Sequence, residues 1–541
     1  MTSRRAFLGA SLVAASAAVV AGARPAYAAS AATSRPVRTE SGLVSGIPAL
    51  LPGVTVYKGV PYGASTAGPN RWLPPRRAPR WDGVFKADTW GAACPQDTST
   101  VPAGEYIPPL SEDCLNLNIW TAAADPGDRR PVYVWAYGAS QWSAQGLYDG
   151  AGLARKGLVM VTFNRRAGAF GSLATSQLSA ESPHDISGNY ILWDTLACLQ
   201  WVRRNIAAFG GDPDNVTLAG QSAGAAITSD LVYSPLARGL FHRAQVDSGI
   251  EYTKDPALNH LADNYATLAA AEATGATIMS DLGVTTMAQM RELSASALIP
   301  YGNLPEVLLD GYLLPATFHE ILASGSYNDM PYVTGNNKDE NNGWMSDSTK
   351  PVTGTTIPVA TYLADVQTTF GSMADDFLAL YPASTPTEAA DMTYLSGRDD
   401  ERISTWMWGT EWLARAAHPV FSYYFTHTPP GQDTTNPFTG TDQSGAYHGA
   451  EIYYMLDNLY ATDRPWKEAD YRIADTMSDY VVNFATHGDP NGPGLARWKP
   501  LDASEPGVME LGDGFERVEI ASSGRRLKLF ERWFNSQTVN W

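Results

Sequence analysis

An apolar, β-rich run at residues 216–219 leads straight into Gly220, Gln221, Ser222, Ala223 and Gly224, and a helix-forming run starts at Ala225. A chain that turns from strand to helix within five residues has no room for bulk beside the apex. The glycines two before and two after the serine meet that need. The apex serine is then pushed out at the top of a sheet, at the start of a helix whose first amides favour developing negative charge. Other segments supply the sheet. Runs 131–137 and 158–163 are apolar with turn residues between them, and 193–209 carries apolar positions at helical spacing before Gly210, Gly211, Asp212 and Pro213. Strands alternating with helices imply an α/β architecture, a doubly wound and mainly parallel sheet buried on both faces. Residues 37–60 predict small antiparallel strands ahead of the main sheet, 255–324 several helices interrupting it, and 429–444 a long polar loop.

The first residues read differently. Arg4 and Arg5 precede an apolar, small-residue stretch from 9 to 23, followed by Ala26, Tyr27 and Ala28. A charged head, a short apolar middle and a small-x-small site form a secretory signal, here with paired arginines of the bacterial twin-arginine kind. The stretch is shorter than the ~20 residues a spanning helix needs. Removal of 1–28 leaves a mature chain beginning near Ala29. With 44% hydrophobic and 17% charged residues and no internal repeat, residues 29–541 are read as a single catalytic domain with a helical insertion at 255–324. The formal charge of −18 disfavours nucleic acid and anionic membranes as partners.

Cysteines stand at 94, 114 and 198. Export favours a disulfide. Cys94 and Cys114 close a short loop bearing Pro and Gly, whereas Cys198 lies in an apolar helical pattern, so 94 is expected to pair with 114 and 198 to be buried. A zinc site lacks neighbouring His or Cys ligands.

A serine hydroxyl is a poor nucleophile until a base takes its proton, so an exposed Ser222 calls for a histidine and an acid to orient it. With the chain order Ser, acid, His, His448 is the best placed of the eight histidines, at the end of the polar loop after the strand run 420–425. His427 ends a strand and His487 precedes Gly-Asp-Pro, both ordinary places for a structural histidine. The acid is expected after the strand run 331–335, where Asp339 and Glu340 are equal candidates by spacing.

Several separated motifs then agree. Residues 112–120 (Glu-Asp-Cys-Leu-Asn-Leu-Asn-Ile-Trp), the turn 59–62, the stretch 205–213, Lys338-Asp339-Glu340 and His448-Gly449-Ala450-Glu451 together resemble the type-B carboxylesterases, the cholinesterase-like family, over nearly all of the mature chain. The resemblance implies the α/β-hydrolase fold and hydrolysis of small-molecule carboxylic esters by a Ser222, His448, Glu340 triad, without metal or other cofactor. It also implies that Cys94 and Cys114 are the family's first disulfide, that Arg71 and Glu112 form a buried ion pair, and that Ser248 and Glu451 are polar groups behind the triad.

Departures from the family pattern bear on substrate. Where the family's oxyanion strand ends in three glycines, this chain has Gly138, Ala139 and Ser140. The amides of Ala139, Ser140 and Ala223 are expected to form the oxyanion hole, now crowded by two side chains. Gln221 replaces the glutamate that commonly precedes the nucleophile, and the 94–114 loop has no tryptophan to cradle a quaternary ammonium, which argues against a cholinesterase proper. Trp142, Trp193, Trp344 and Trp406 suggest an aromatic acyl pocket, although tryptophans also serve as plain core. Two other classes fit the scaffold: a binding protein, against which the complete triad argues, and a lipase, amidase or polyester hydrolase using the same triad.

Overall fold

The computed structural model describes residues 35–99, 101, 106–138, 142–249, 252–256, 265–305, 307–340, 356–431 and 445–539. The expected signal (1–28), Ala139, Ser140, Trp344 and residues 432–444 of the polar loop lie outside them. Eleven strands of the described residues form one sheet: β1 (Ile47–Pro48), β2 (Thr55–Pro61), β3 (Asn116–Thr121), β4 (Arg130–Ala136), β5 (Val159–Phe163), β6 (Gly211–Gln221), β7 (Arg243–Asp247), β8 (Tyr332–Asn337), β9 (Val420–Phe425), β10 (Val508–Leu511) and β11 (Arg517–Val518). Their spatial order is β11-β10-β9-β8-β7-β6-β4-β5-β3-β2-β1. From β10 to β5 every neighbouring pair is parallel. Both outer edges are antiparallel.

Parallel strands need crossovers, and helices on both faces supply them. Four matter below: α1 (Tyr190–Asn205), α2 (Ala223–Tyr233), α3 (Pro386–Leu413) and α4 (Glu468–His487). Side chains of β4 alternate between two cores as strand geometry dictates. Val132, Val134 and Ala136 pack with Leu199 and Val202 of α1 and Ile227 and Leu231 of α2. Tyr133 and Trp135 turn the other way, into a core with Tyr480 and Phe484 of α4. Burying each such side chain contributes about 1.5–3 kcal/mol, which is why the central strands read as unbroken apolar runs.

The chain leaves β4 for β5 on one side and returns to β6 on the other. At such a switch point the loops beyond the carboxyl ends of β4 and β6 diverge and open a crevice. The turn after β6 is the Ser222 apex.

Some expectations change in detail. Val37–Arg38 and Leu43–Ser45 do form a small antiparallel pair, extended by Val84–Lys86. The later short strands instead enter the main sheet as β1 and β2, because β2 is buried along most of its length and pairs with β3 from Thr55 to Pro61. Asp212 and Pro213 belong to β6; the turn itself falls on Gly210, at φ 80°. Between β7 and β8 come the expected helices, Leu268–Asp281, Met287–Glu292, Ala295–Leu298 and Phe318–Ser324, with an unanticipated parallel ribbon of Tyr265–Thr267 and Val307–Leu309. Among the described residues no helix is long and apolar enough to cross a membrane.

The expected disulfide is not formed. Cys94, Cys114 and Cys198 are all free, buried thiols. Cys94 and Cys114 meet as hydrogen-bonding neighbours, and that bond, together with burial, pushes the Cys114 thiol well above its usual range. Cys94 Sγ is in turn an acceptor for the Ala167 N–H at 3.3 Å. The pair is thus held as two packed, free thiols.

Candidate active site

Ser222 sits at φ 60°, ψ −127°, between the last residue of β6 and the first of α2. A non-glycine residue at positive φ is strained, and the strain is held by packing on both sides. A Cβ on Gly224 would overlap the Ala136 carbonyl, and one on Gly220 the Gly224 carbonyl. The elbow is therefore clamped against β4 by backbone-to-backbone contact that any side chain would break. The Ser222 N–H donates to Asp247 O at 3.0 Å. The first bond of α2 runs from Ala226 N to Ser222 O, 3.0 Å, so the Ala223 amide precedes the helix's own ladder and faces outward with the positive end of the dipole.

His448 is brought to the elbow from the far side. Its Nδ1 is 3.0 Å from Glu340 Oε2, and its Nε2 is 3.1 Å from Nε2 of Gln221, the residue before Ser222. Glu340 follows β8 and is almost fully buried. Its other oxygen accepts from Ser248 Oγ at 2.6 Å and from the Asn337 N–H. Burial pushes the Glu340 carboxyl up, but the hydrogen bond and charge of His448, with those two donors, hold it below the usual carboxylate range. An ionised Glu340 keeps the proton of the neutral imidazole on Nδ1 and leaves the lone pair on Nε2.

Spacing left Asp339 and Glu340 equal; the fold separates them. Asp339 turns away to pair with Arg398 of α3 at 2.5 Å and to accept from Ala446 N at 2.8 Å, while its own N–H donates to Ala446 O at 2.9 Å. It fixes the segment that carries His448 without touching the ring.

Carboxyl groups continue behind Glu340 and His448. Glu451 is fully buried, one oxygen accepting from Asn337 Nδ2 and the other without a hydrogen bond among the described residues. Burial, then repulsion from Asp247 and Glu340, pushes it well above its usual range and favours its neutral form. Asp247, absent from the sequence reading, ends β7. Its carboxylate accepts from Gln245 Nε2 at 2.9 Å and Tyr423 Oη at 3.1 Å. Burial raises it to about 7, with Glu340 adding to the rise against those two hydrogen bonds.

A family model described as the carboxylesterase family matches residues 33–530. The fumonisin B1 esterase of Sphingopyxis macrogoltabida is 33% identical over 487 residues, covering 85% of this chain and 83% of its own. The human cocaine esterase is 29% identical over 500 residues, covering 84% and 83%. A solved PNB esterase superposes with a TM-score of 0.72 at 25% identity, covering 92% of this chain and 99% of its own. The chain belongs to the carboxylesterase family. This carboxylesterase is a carboxylic ester hydrolase of the α/β-hydrolase fold.

Arg71 and Glu112 of the esterase form the expected ion pair, two-pronged, with Nε–Oε2 2.7 Å and Nη2–Oε1 2.5 Å. Arg71 Nη1 also donates to the carbonyls of Met290 and Leu293, so the pair ties the amino-terminal region to the inserted helices rather than serving chemistry. A second buried pair escaped the sequence reading: Arg166 and Asp194, joined by two bonds of 2.9 and 2.7 Å. Trp142 is buried with its Nε1 on Tyr106 O at 3.0 Å, Trp193 stacks on Tyr312, and Trp406 lies in the core.

The raised Asp247 carboxyl has a measurable consequence for this carboxylesterase. Because its folded pKa of about 7 lies above the ordinary 3.8, the native state holds more protons between those values. The corresponding stability is full below about 4 and is lost as pH rises through about 7. Asp247→Asn stays neutral throughout. Its melting temperature relative to the native enzyme is expected to climb from pH 5 to pH 8. A difference that stays constant over that range would mean that Asp247 does not titrate there.

Proposed function

We propose that this carboxylesterase works through Ser222 as nucleophile, His448 as base and Glu340 as the group that orients the base. The observation carrying the proposal is the buried, ionised Glu340 3.0 Å from His448 Nδ1, with the far nitrogen of that ring at the residue before the strained serine. His448 Nε2 takes the Ser222 proton as Oγ attacks the ester carbonyl. The amides of Ala139, Ser140 and Ala223 receive the oxyanion, and the imidazolium then protonates the leaving alcohol. Water enters the acyl-enzyme by the same route with His448 again as base. Side chains and backbone amides supply every step.

The rest of the reading extends to the whole chain. Residues 1–28 are a twin-arginine export signal, the mature enzyme begins near Ala29 and works outside the cell, and 29–541 form one catalytic domain. Small-molecule carboxylic esters are its substrates. Two relatives are named for fumonisin B1 and cocaine, so esters of that bulk belong in the first substrate panel. The test of the mechanism is covalent: an alkyl phosphonate p-nitrophenyl ester should label the enzyme once, on the peptide holding Ser222. Complete loss of esterase activity on labelling a different residue would place the nucleophile there.

Ala139 and Ser140 stand where the family pattern has glycines, and two added side chains at an oxyanion hole formed by their amides would narrow the space for the alcohol part of the ester. Ethyl acetate is therefore expected to be hydrolysed at least tenfold faster than tert-butyl acetate, each 1.4 kcal/mol of crowding costing about one factor of ten. Comparable rates would show that those side chains leave the site open to tertiary alcohols.

A further inference from the structure

The nitrogen of His448 that must take the serine proton is already engaged. With the proton held on Nδ1 by Glu340, Nε2 offers a single lone pair, and the Gln221 amide nitrogen stands 3.1 Å from it. Glu340 also decides which way round that amide must lie. Were the Gln221 oxygen to face Nε2, two acceptors would meet, unless the imidazole proton moved to Nε2 and left a bare Nδ1 against a carboxylate. The amide therefore donates. Its oxygen, Oε1, is buried and has no hydrogen-bond partner among the described residues, an arrangement that costs free energy while it lasts. Gln221 itself is fully buried at the end of β6, next to the backbone of Gly449.

We infer that Gln221 is a positioning residue that acts on the base through a reversible turn of its amide. This rests on the proposed roles of Ser222 and His448. In the resting enzyme the amide donates to the Nε2 lone pair and competes with the Ser222 hydroxyl for it. When Oγ bonds to the ester carbon and its proton passes to Nε2, the lone pair is gone and the ring presents N–H instead. A half-turn of the amide then brings the unpartnered Oε1 to face that N–H. The imidazolium gains an acceptor until it gives the proton to the leaving alcohol, and the amide turns back. No bond of Gln221 is made or broken. Donation to the neutral ring and acceptance from the charged one oppose each other, so the base is restrained at rest and supported during transfer.

The charged and titratable groups around the ring are otherwise fixed. Glu340 reaches it from the segment after β8, Glu451 lies on its own segment, and Asp247 and Tyr423 stand behind them on β7 and β9, while Asp339 is paired with Arg398 of α3. Gln221 is the neutral member contributed by β6, and changing it alone isolates its effect.

The experiment is the pH profile of kcat and kcat/KM for p-nitrophenyl butyrate with the full-length enzyme, Gln221→Glu and Gln221→Met, melting curves confirming the fold of each. Both variants lose the donor to the neutral ring. Glu adds a charge that holds the proton on Nε2 and should move the acid limb of kcat/KM up by about one pH unit, with the alkaline plateau little changed. Met can neither donate to the neutral ring nor accept from the charged one; the two losses oppose each other in the position of the limb, so its readout is plateau kcat, lowered about fivefold. If Glu fails to fold, Met decides. Profiles that coincide with the native one would overturn the inference, as would a limb that moves down in Gln221→Glu or a plateau kcat of Gln221→Met equal to the native value. Ser222→Ala serves as the parallel control: if it stays active, the proposed mechanism fails; if it is inactive while the Gln221 profiles coincide, the inference alone fails.

Discussion

Ser222→Ala is expected to hydrolyse p-nitrophenyl acetate and butyrate at least about 10³-fold more slowly than the native enzyme, with its melting temperature nearly unchanged. The size follows from what the hydroxyl supplies. Without Oγ no acyl-enzyme forms, and hydrolysis falls back on water held near His448 and on whatever stabilisation the oxyanion amides give a tetrahedral intermediate. The small effect on folding follows from the apex itself. Serine and alanine carry the same Cβ and bear the same strain at φ 60°, and the backbone bonds from Ser222 N to Asp247 O and from Ala226 N to Ser222 O do not involve the side chain. Adding His448→Ala to Ser222→Ala should cost little more, because the base has nothing left to deprotonate and members of one triad are not additive. A Ser222→Ala protein within tenfold of native activity would move the nucleophile to another residue.

What could be read from the sequence, and what could not, divides along a physical line. The elbow was legible because its requirement is local: a strand-to-helix turn that crosses β4 so closely that Gly220 and Gly224 admit no Cβ leaves its mark in five adjacent residues. The central strands were legible for a similar reason, since burial on both faces removes polar residues from them. Partners set by long-range approach left weaker marks. Asp339 and Glu340 are neighbours in sequence, and only the approach of Arg398 from α3 and of His448 from a segment over a hundred residues away sends them in opposite directions. Asp247 ends a short strand that already carries Arg243 and Gln245, so one more polar residue there does not stand out. The one signal that could have found it is its place immediately before Ser248, already singled out as a polar group behind the triad. The cysteines failed for a different reason: loop closure in sequence is compatible with a disulfide and with two packed thiols alike, and side-chain packing around Cys94 and Cys114 chooses the second.

Glu340→Gln is the more searching test of the triad, because it preserves shape and changes only where the imidazole proton rests. Ser248 Oγ and the Asn337 N–H, which both donate to Oε1, can keep the glutamine oxygen on their side and so turn its amide nitrogen toward His448 Nδ1. An N–H facing Nδ1 needs a lone pair there, which sends the ring proton to Nε2 and removes the acceptor that Ser222 requires. A loss of about 10⁴-fold in kcat is expected, the scale seen when a triad acid is replaced by its amide and the histidine is left in the wrong tautomer. Asp339→Asn makes the matching control one residue away. It weakens the ion pair to Arg398 and the hold on Ala446, so it should lower stability by about 1–2 kcal/mol while leaving kcat within about tenfold. If the two variants exchanged these phenotypes, Asp339 would be the acid in solution and His448 would have to turn away from Glu340 to reach it. If both lost activity together without loss of fold, the acid would act as a pair and the separation of Asp339 from Glu340 by Arg398 would not hold in the working enzyme.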